Sequence, residues 1–192
     1  MKLALVVAVF VTSFTAFAQG KSAPTAPSPN KASASEMPMP QLPIEGKKWL
    51  EANLGKWKSK NVVMEMGDKT YKGTMDLDCE KTSSGWGTLC KGKMDLGKDM
   101  PPQEVTFLMG WNIGEGEATM FEVSNMGEVH HHKGTWMDTK SITVTHEGKT
   151  PEGKMEKDAA TFTWHSPKEM TIMAVGTSGT TINWKMTATA KK

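Results

Sequence analysis

The stretch Tyr71-Lys72-Gly73-Thr74-Met75-Asp76-Leu77-Asp78-Cys79-Glu80 decides the fold. Tyr71, Met75, Leu77 and Cys79 fall on one parity, and Lys72, Thr74, Asp76, Asp78 and Glu80 on the other. Successive side chains of an extended strand point to opposite faces, so this pattern builds one apolar and one polar face. The split recurs in Val105, Phe107, Met109 and Trp111, and again in Ile182, Trp184, Met186 and Ala188 against Thr181, Asn183, Lys185 and Thr187. Working outward, clusters of Gly, Asp, Asn, Ser and Pro divide the chain after Gly55 into ten such segments. They run 57–66, 70–80, 85–96, 103–112, 117–124, 128–138, 141–149, 158–166, 169–177 and 180–190.

Half-polar strands joined by short turns, with no helix between them, imply an all-β antiparallel meander with one wet side. Ten such strands leave two raw edges unless the sheet closes. An up-and-down β-barrel buries the apolar faces and removes the edges together; a two-sheet sandwich satisfies the same alternation. Ahead of the strands, Ile44, Trp49, Leu50 and Leu54 fall near helical spacing before Gly55, which predicts one helix of about ten residues ending there.

The N-terminus reads differently. Lys2, the apolar run Leu3 to Val11 and the small-residue pattern Ala16-Phe17-Ala18 have the build of a secretory signal over 1–18. Residues 19–43 are rich in Pro, Ala, Ser and Lys and hold too little apolar surface to offset their ordering entropy, so they read as a disordered linker before a barrel domain at 44–192. Met37-Pro38-Met39-Pro40 within the linker is assigned no role. The product is expected to be exported, periplasmic or secreted. No further stretch is apolar enough for a membrane span, and no cysteine at the cleavage point offers a lipid anchor.

The basic residues number 23, all Lys, against 21 acidic ones; without Lys2 the count is 22 to 21, with the signs interspersed. That balance argues against nucleic acid, and the lack of Arg removes the planar fork used for bidentate phosphate or carboxylate binding. The 16 Met and seven Trp against a single Tyr suggest adaptable apolar packing instead. Nothing in the pattern sets an oligomeric state.

At Leu54-Gly55-Lys56-Trp57 the chain resembles the G-x-W opening of lipocalins, in which a short helix precedes the first barrel strand. With Gly110-Trp111-Asn112 and His132-Lys133-Gly134-Thr135-Trp136, the layout from Ile44 to Lys192 resembles a bacterial family of secreted, lipocalin-like (calycin-type) domains of unknown function. The resemblance implies a barrel and export. It carries no catalytic residue over.

If odd strands run up from the helix end and even strands down, Trp57 and Trp86 start upward strands. Trp111, Trp136 and Trp164 end downward ones, and Trp184 lies at mid-height. The first five then gather at one closed end. A cavity for a small, mostly apolar molecule is expected above them, floored by Trp57, Trp111 and Trp136 and lined by Phe107, Met109 and Met94. His130, His132 and His146 share the inward parity near the open end, with Met94 and Met126 as neighbours, and His131 faces out. A hairpin centred on Thr139 pairs Trp136 with Ile142 and sets His132 opposite His146, close enough for two imidazoles to share zinc or copper. A polar lip without metal fits the same residues, and no haem-attachment pattern accompanies them.

Cys79 and Cys90 are symmetric about Ser84-Gly85, so a two-residue turn there sets the sulfurs opposite one another; in an exported chain this predicts a disulfide staple. No catalytic motif is present. Gly176-Thr177-Ser178-Gly179 lies in an expected hairpin turn rather than at a strand-to-helix elbow, and Glu65, Glu117 and Glu122 find no evident partner in the sequence.

Overall fold

Pro43, at φ −65° and extended, opens helix α1 (Ile44–Asn53), and Glu45 in its first turn complements the helix dipole. Gly46, Trp49, Leu50 and Asn53 are its buried residues, the i, i+3, i+4, i+7 stripe of a helix laid against a core. Gly55 ends it. Its φ of +102° lets the chain reverse out of the helix directly into the first strand, at a conformation that side chains with a Cβ disfavour.

The computed structural model describes residues 40–149 and 153–192. The expected signal and residues 19–39 of the expected linker lie outside the described residues. Ten strands follow the helix: β1 (Gly55–Met66), β2 (Lys69–Thr82), β3 (Gly87–Asp95), β4 (Gln103–Asn112), β5 (Glu117–Ser124), β6 (Val129–Trp136), β7 (Ser141–Lys149), β8 (Met155–Ser166), β9 (Glu169–Ser178) and β10 (Thr181–Lys191). Every neighbour in sequence pairs antiparallel, and β1 closes on β10 through Met64↔Met186. The sheet is a closed up-and-down barrel, not a sandwich.

Three details differ from the expected strands. The turn between β2 and β3 is a four-residue loop with a 3-10 segment at Ser83–Gly85, so Trp86 sits in the loop, although Cys79 still pairs with Cys90. A bulge in β1 shifts the register between Ser59↔Met75 and Val62↔Gly73. The extra residue lets Trp57 and Ser59 point inward below it and Val62 and Met64 inward above it. A second bulge separates Ile182 from Trp184, so these two do not share a face and Ile182 is 49% exposed.

The barrel is packed unequally along its axis. Toward the helix, Trp49, Trp57, Met109, Met120, Ile142, Val144 and Met170 are each 2% exposed or less, a close-packed core. Toward the other end the inward side chains Met75, Phe107, Glu122, His130, His146, Trp184 and Met186 stay half-buried. On one side of that mouth the 96–102 loop folds in. Leu96 is buried against Val62, Met64 and Ala188, and Met100 packs beside them.

Candidate functional site

Hydrogen bonds to helix carbonyls build the closed end. Trp57 Nε1 donates to Asn53 O at 2.8 Å, Asn53 Nδ2 to Trp49 O at 2.7 Å, and Thr88 Oγ1 to Leu50 O at 3.1 Å. The bonds to Leu50 O and Asn53 O engage carbonyls of the last turn of α1, which lack full intrahelical partners. Trp49 enters the barrel from the helix and meets Phe162 and Trp164 edge-on, with ring centroids 5.7 and 6.2 Å apart. Trp136 donates from Nε1 to Glu45 O and lies under the Lys48 ammonium, 3.9 Å from its ring centre. Trp111 fits against Gly46, where an added Cβ would come within 2.6 Å of the Trp111 Cγ.

Of the residues expected to line a ligand cavity, Trp57 and Met109 therefore offer no free surface, and Trp111 and Trp136 brace the helix. Trp86 stays half-buried in its loop, outside the core cluster. Phe107 is half-buried one step above Met109, paired with Cys90 on β3 and Glu122 on β5. Met94 packs in the upper cluster with Val62 and Leu96, and Met126 projects from the β5–β6 turn at 52% exposure. The Cys79–Cys90 disulfide is formed across β2 and β3. Disulfides form and persist chiefly in oxidising compartments.

The titratable groups gather on the opposite wall. β6 and β7 pair in the register Trp136↔Ile142 through Lys133↔Thr145, where the pairing stops. Beyond that point the His146 ring occupies the seam, with Nδ1 3.3 Å from His131 N and 3.2 Å from His131 O. His146 stacks on His130, centroids 4.3 Å apart and planes within 11°, and lies 5.7 Å from His132. Gly148 leaves the space for that ring, since a Cβ there would stand 2.5 Å from His146 Nε2.

Asp158, paired with His146 across β7 and β8, joins the group. Its Oδ1 lies 2.5 Å from His132 Nε2, and its Oδ2 lies 3.1 Å from His130 Nδ1. His132 and Asp158 are 3% and 6% exposed. His132 Nδ1 and Asp158 Oδ2 are nonetheless left without a hydrogen-bond partner. Glu122, paired with His130, completes the cluster, and one donor atom each from Glu122, His130 and His132 lie within 4.8 Å of one another. Burial pushes its carboxyl up to about 7, with Asp158 and Glu128 adding to the rise and His132 opposing it.

The sequence alone does not mark Asp158 or Glu122 as a site residue. The available signal was parity: Asp158 shares the inward face with Phe162 and Trp164, and Glu122 shares it with Ala118 and Met120. Glu117, by contrast, pairs with Lys133 at 2.9 Å near the other end. A concavity of about 630 Å³ lies over the first five strands, bordered by Lys56, Asp76, Lys93 and Glu104, and shares no residue with the histidine cluster. Its exposed ion pairs, Lys58–Asp76 at 3.5 Å and Lys93–Glu104 at 3.6 Å, contribute little to stability.

Fold and site together define a helix-plugged, ten-stranded up-and-down barrel with one half-open end. No family model matches the chain, and no curated protein matches it. Among solved structures it is similar to Rv2717c from M. tuberculosis, 11% identical, with a TM-score of 0.55 over 73% of this chain and 92% of that one. Two further barrels align at lower similarity. They are a redesigned β-barrel, mFAP1, bound to DFHBI (14% identity, TM-score 0.30, 77% and 99% of the two chains) and a chain from work on de novo transmembrane β-barrels (10%, 0.29, 72% and 95%). The likeness to Rv2717c shows a shared fold alone. Among the described residues no helix is long and apolar enough to cross a membrane.

Proposed function

We propose that this is an exported, lipocalin-like binding barrel that takes a small, mostly apolar molecule at its half-open end. The observation that supports this is the partition of exposure along the axis. Trp49, Trp57, Met109, Met120 and Met170 near the helix are each 2% exposed or less, while Phe107, Met75, Met186 and Trp184 toward the mouth stay half-buried. A concave apolar wall with a few convergent polar groups is the usual build of a small-molecule site. Methionines at such a wall adapt to ligands of varied shape. The site stands higher in the barrel than the tryptophan floor.

Trp184 is the tryptophan of the upper cluster and reports on this end. Titrating the chain from Gln19 onward with a dansyl-labelled fatty acid, with a chelator present, should transfer energy from tryptophan to the probe saturably. Unlabelled fatty acid should reverse the transfer. Replacing Met186 by Arg should abolish it while the far-ultraviolet circular dichroism stays unchanged. Absence of saturable transfer in the wild-type protein, or transfer that persists in Met186→Arg, would overturn the reading, the former in favour of a structural barrel without ligand.

A further inference from the structure

We propose that His130, His146 and Asp158 form a site for a borderline divalent transition-metal ion, zinc or copper(II), on the inner wall of β6 to β8. In this site His132 is a positioning residue and not a ligand. The site goes beyond the apolar reading and does not depend on it.

The geometry carries the assignment. One donor atom each from His130, His146 and Asp158 lie within 4.8 Å of one another. His130 Nδ1 and Asp158 Oδ2 stand 3.1 Å apart, yet Oδ2 has no hydrogen-bond partner, so the ring N–H is not aimed at it. Two ligands each about 2.0–2.1 Å from a tetrahedral zinc are separated by roughly 3.3 Å, close to this spacing. An unpartnered oxygen on a carboxylate residue that is only 6% exposed is costly unless something binds it. An ion between Oδ2 and the imidazole removes that cost.

The neighbouring contacts fit the same scheme. His146 Nδ1 is engaged with the His131 backbone, which leaves Nε2 as its ligand atom. His132 Nε2 holds Asp158 Oδ1 at 2.5 Å, orienting the carboxylate so that Oδ2 faces His130. Partners of this kind, one shell out from the ion, fix the ligands that touch it. Two imidazoles and one carboxylate select zinc or copper(II) over calcium or magnesium, which prefer oxygen alone. Three protein ligands leave a fourth position open toward the barrel interior, beside the Glu122 carboxylate.

The test is calorimetric titration of the chelator-treated chain from Gln19 onward with zinc and with copper(II), in competition with a chromophoric chelator. Cobalt(II) is used as a spectroscopic substitute. One ion per chain is expected, with the intense visible absorption of four-coordinate cobalt. His146→Gln and His130→Gln should each weaken binding at least about tenfold. His132→Gln should weaken it by a similar factor while keeping one-to-one stoichiometry and the four-coordinate spectrum, an outcome that removal of a ligand would not give. His131→Gln and His165→Gln, on the outer surface, should change nothing. Wild-type protein that binds neither ion stoichiometrically, or a folded His130→Gln/His146→Gln double variant that binds as tightly as wild type, would overturn the site. Fatty-acid binding is measured separately in chelator, so either proposal can fail without the other.

Discussion

Replacing Glu122 by Gln tests the electrostatics of the mouth. The carboxyl titrates near 7 in the folded barrel against an ordinary value of 4.5, chiefly because burial disfavours its charge. Between those values the native state binds up to one proton more than the unfolded chain. The stabilisation is fully present below about pH 4.5 and is lost as pH rises through about 7. At about 1.4 kcal/mol per pH unit, the gap from 4.5 to about 7 makes the whole loss at most about 3.5 kcal/mol, and less to the extent that the half-buried carboxylate reaches water. Gln keeps the shape and removes the charge. The groups facing position 122, namely His130 and His132 from β6, Asp158 from β8 and Glu128 from the β5–β6 turn, are present in both proteins, so only their coupling to the Glu122 charge enters the difference. Urea unfolding of both proteins, in chelator with the disulfide intact, should give nearly equal stabilities at pH 4.5. By pH 8, Glu122→Gln should be the more stable by roughly 2–3 kcal/mol. A difference that stays flat across this range, or a less stable variant at pH 8, would refute the reasoning.

Other outcomes follow from the packing. Mass spectrometry of the unreduced protein should find it two hydrogens lighter than the reduced form, and Cys79→Ala/Cys90→Ala should lose about 3 kcal/mol in denaturant, as expected for closing a loop of this length. Trp49→Ala should cost about 3–5 kcal/mol, because the ring fills the closed end and nothing can collapse into its place. Gly46→Ala should cost about 1–3 kcal/mol by driving a methyl into Trp111, an effect visible as a lower thermal midpoint. Gly134→Ala should cost as much or more, because the added Cβ overlaps the Thr143 carbonyl and backbone yields less easily than a side chain.

Much of the fold was legible because each strand carries its own period of two. The alternation of Tyr71 to Glu80 and of Val105 to Trp111 locates strands within a few residues, and turn symmetry yields Cys79↔Cys90 and Trp136↔Ile142 without knowledge of the rest. What failed to show is non-local. A bulge such as that between Ser59 and Val62 is set by how β1 must twist to meet both β2 and β10, and Val62-Val63 reads as apolar on either face. Trp57 is tied to the helix by its hydrogen bond to Asn53 O, so its burial depends on where α1 docks. Asp158 and Glu122 do not stand out in the sequence because a charged residue on a strand is ordinarily solvated. Only the meeting of β5, β6 and β8 around His130 and His132 gives them partners. The histidines could be placed inward by parity, yet the stacking of His146 on His130 arises where the β6–β7 ladder ends, which no local pattern encodes.

The central claim is that the two ends of the barrel differ, one packed and one receptive, and the methionines test it most directly. With methyl-labelled methionine, NMR of the chain from Gln19 onward can be followed as the unlabelled fatty acid is added. Met75, Met94 and Met186, half-buried at the mouth, should shift saturably, while Met109, Met120 and Met170, each 2% exposed or less, should hold their positions. Shifts that begin at Met109, Met120 and Met170, or no shift at any methionine, would contradict it.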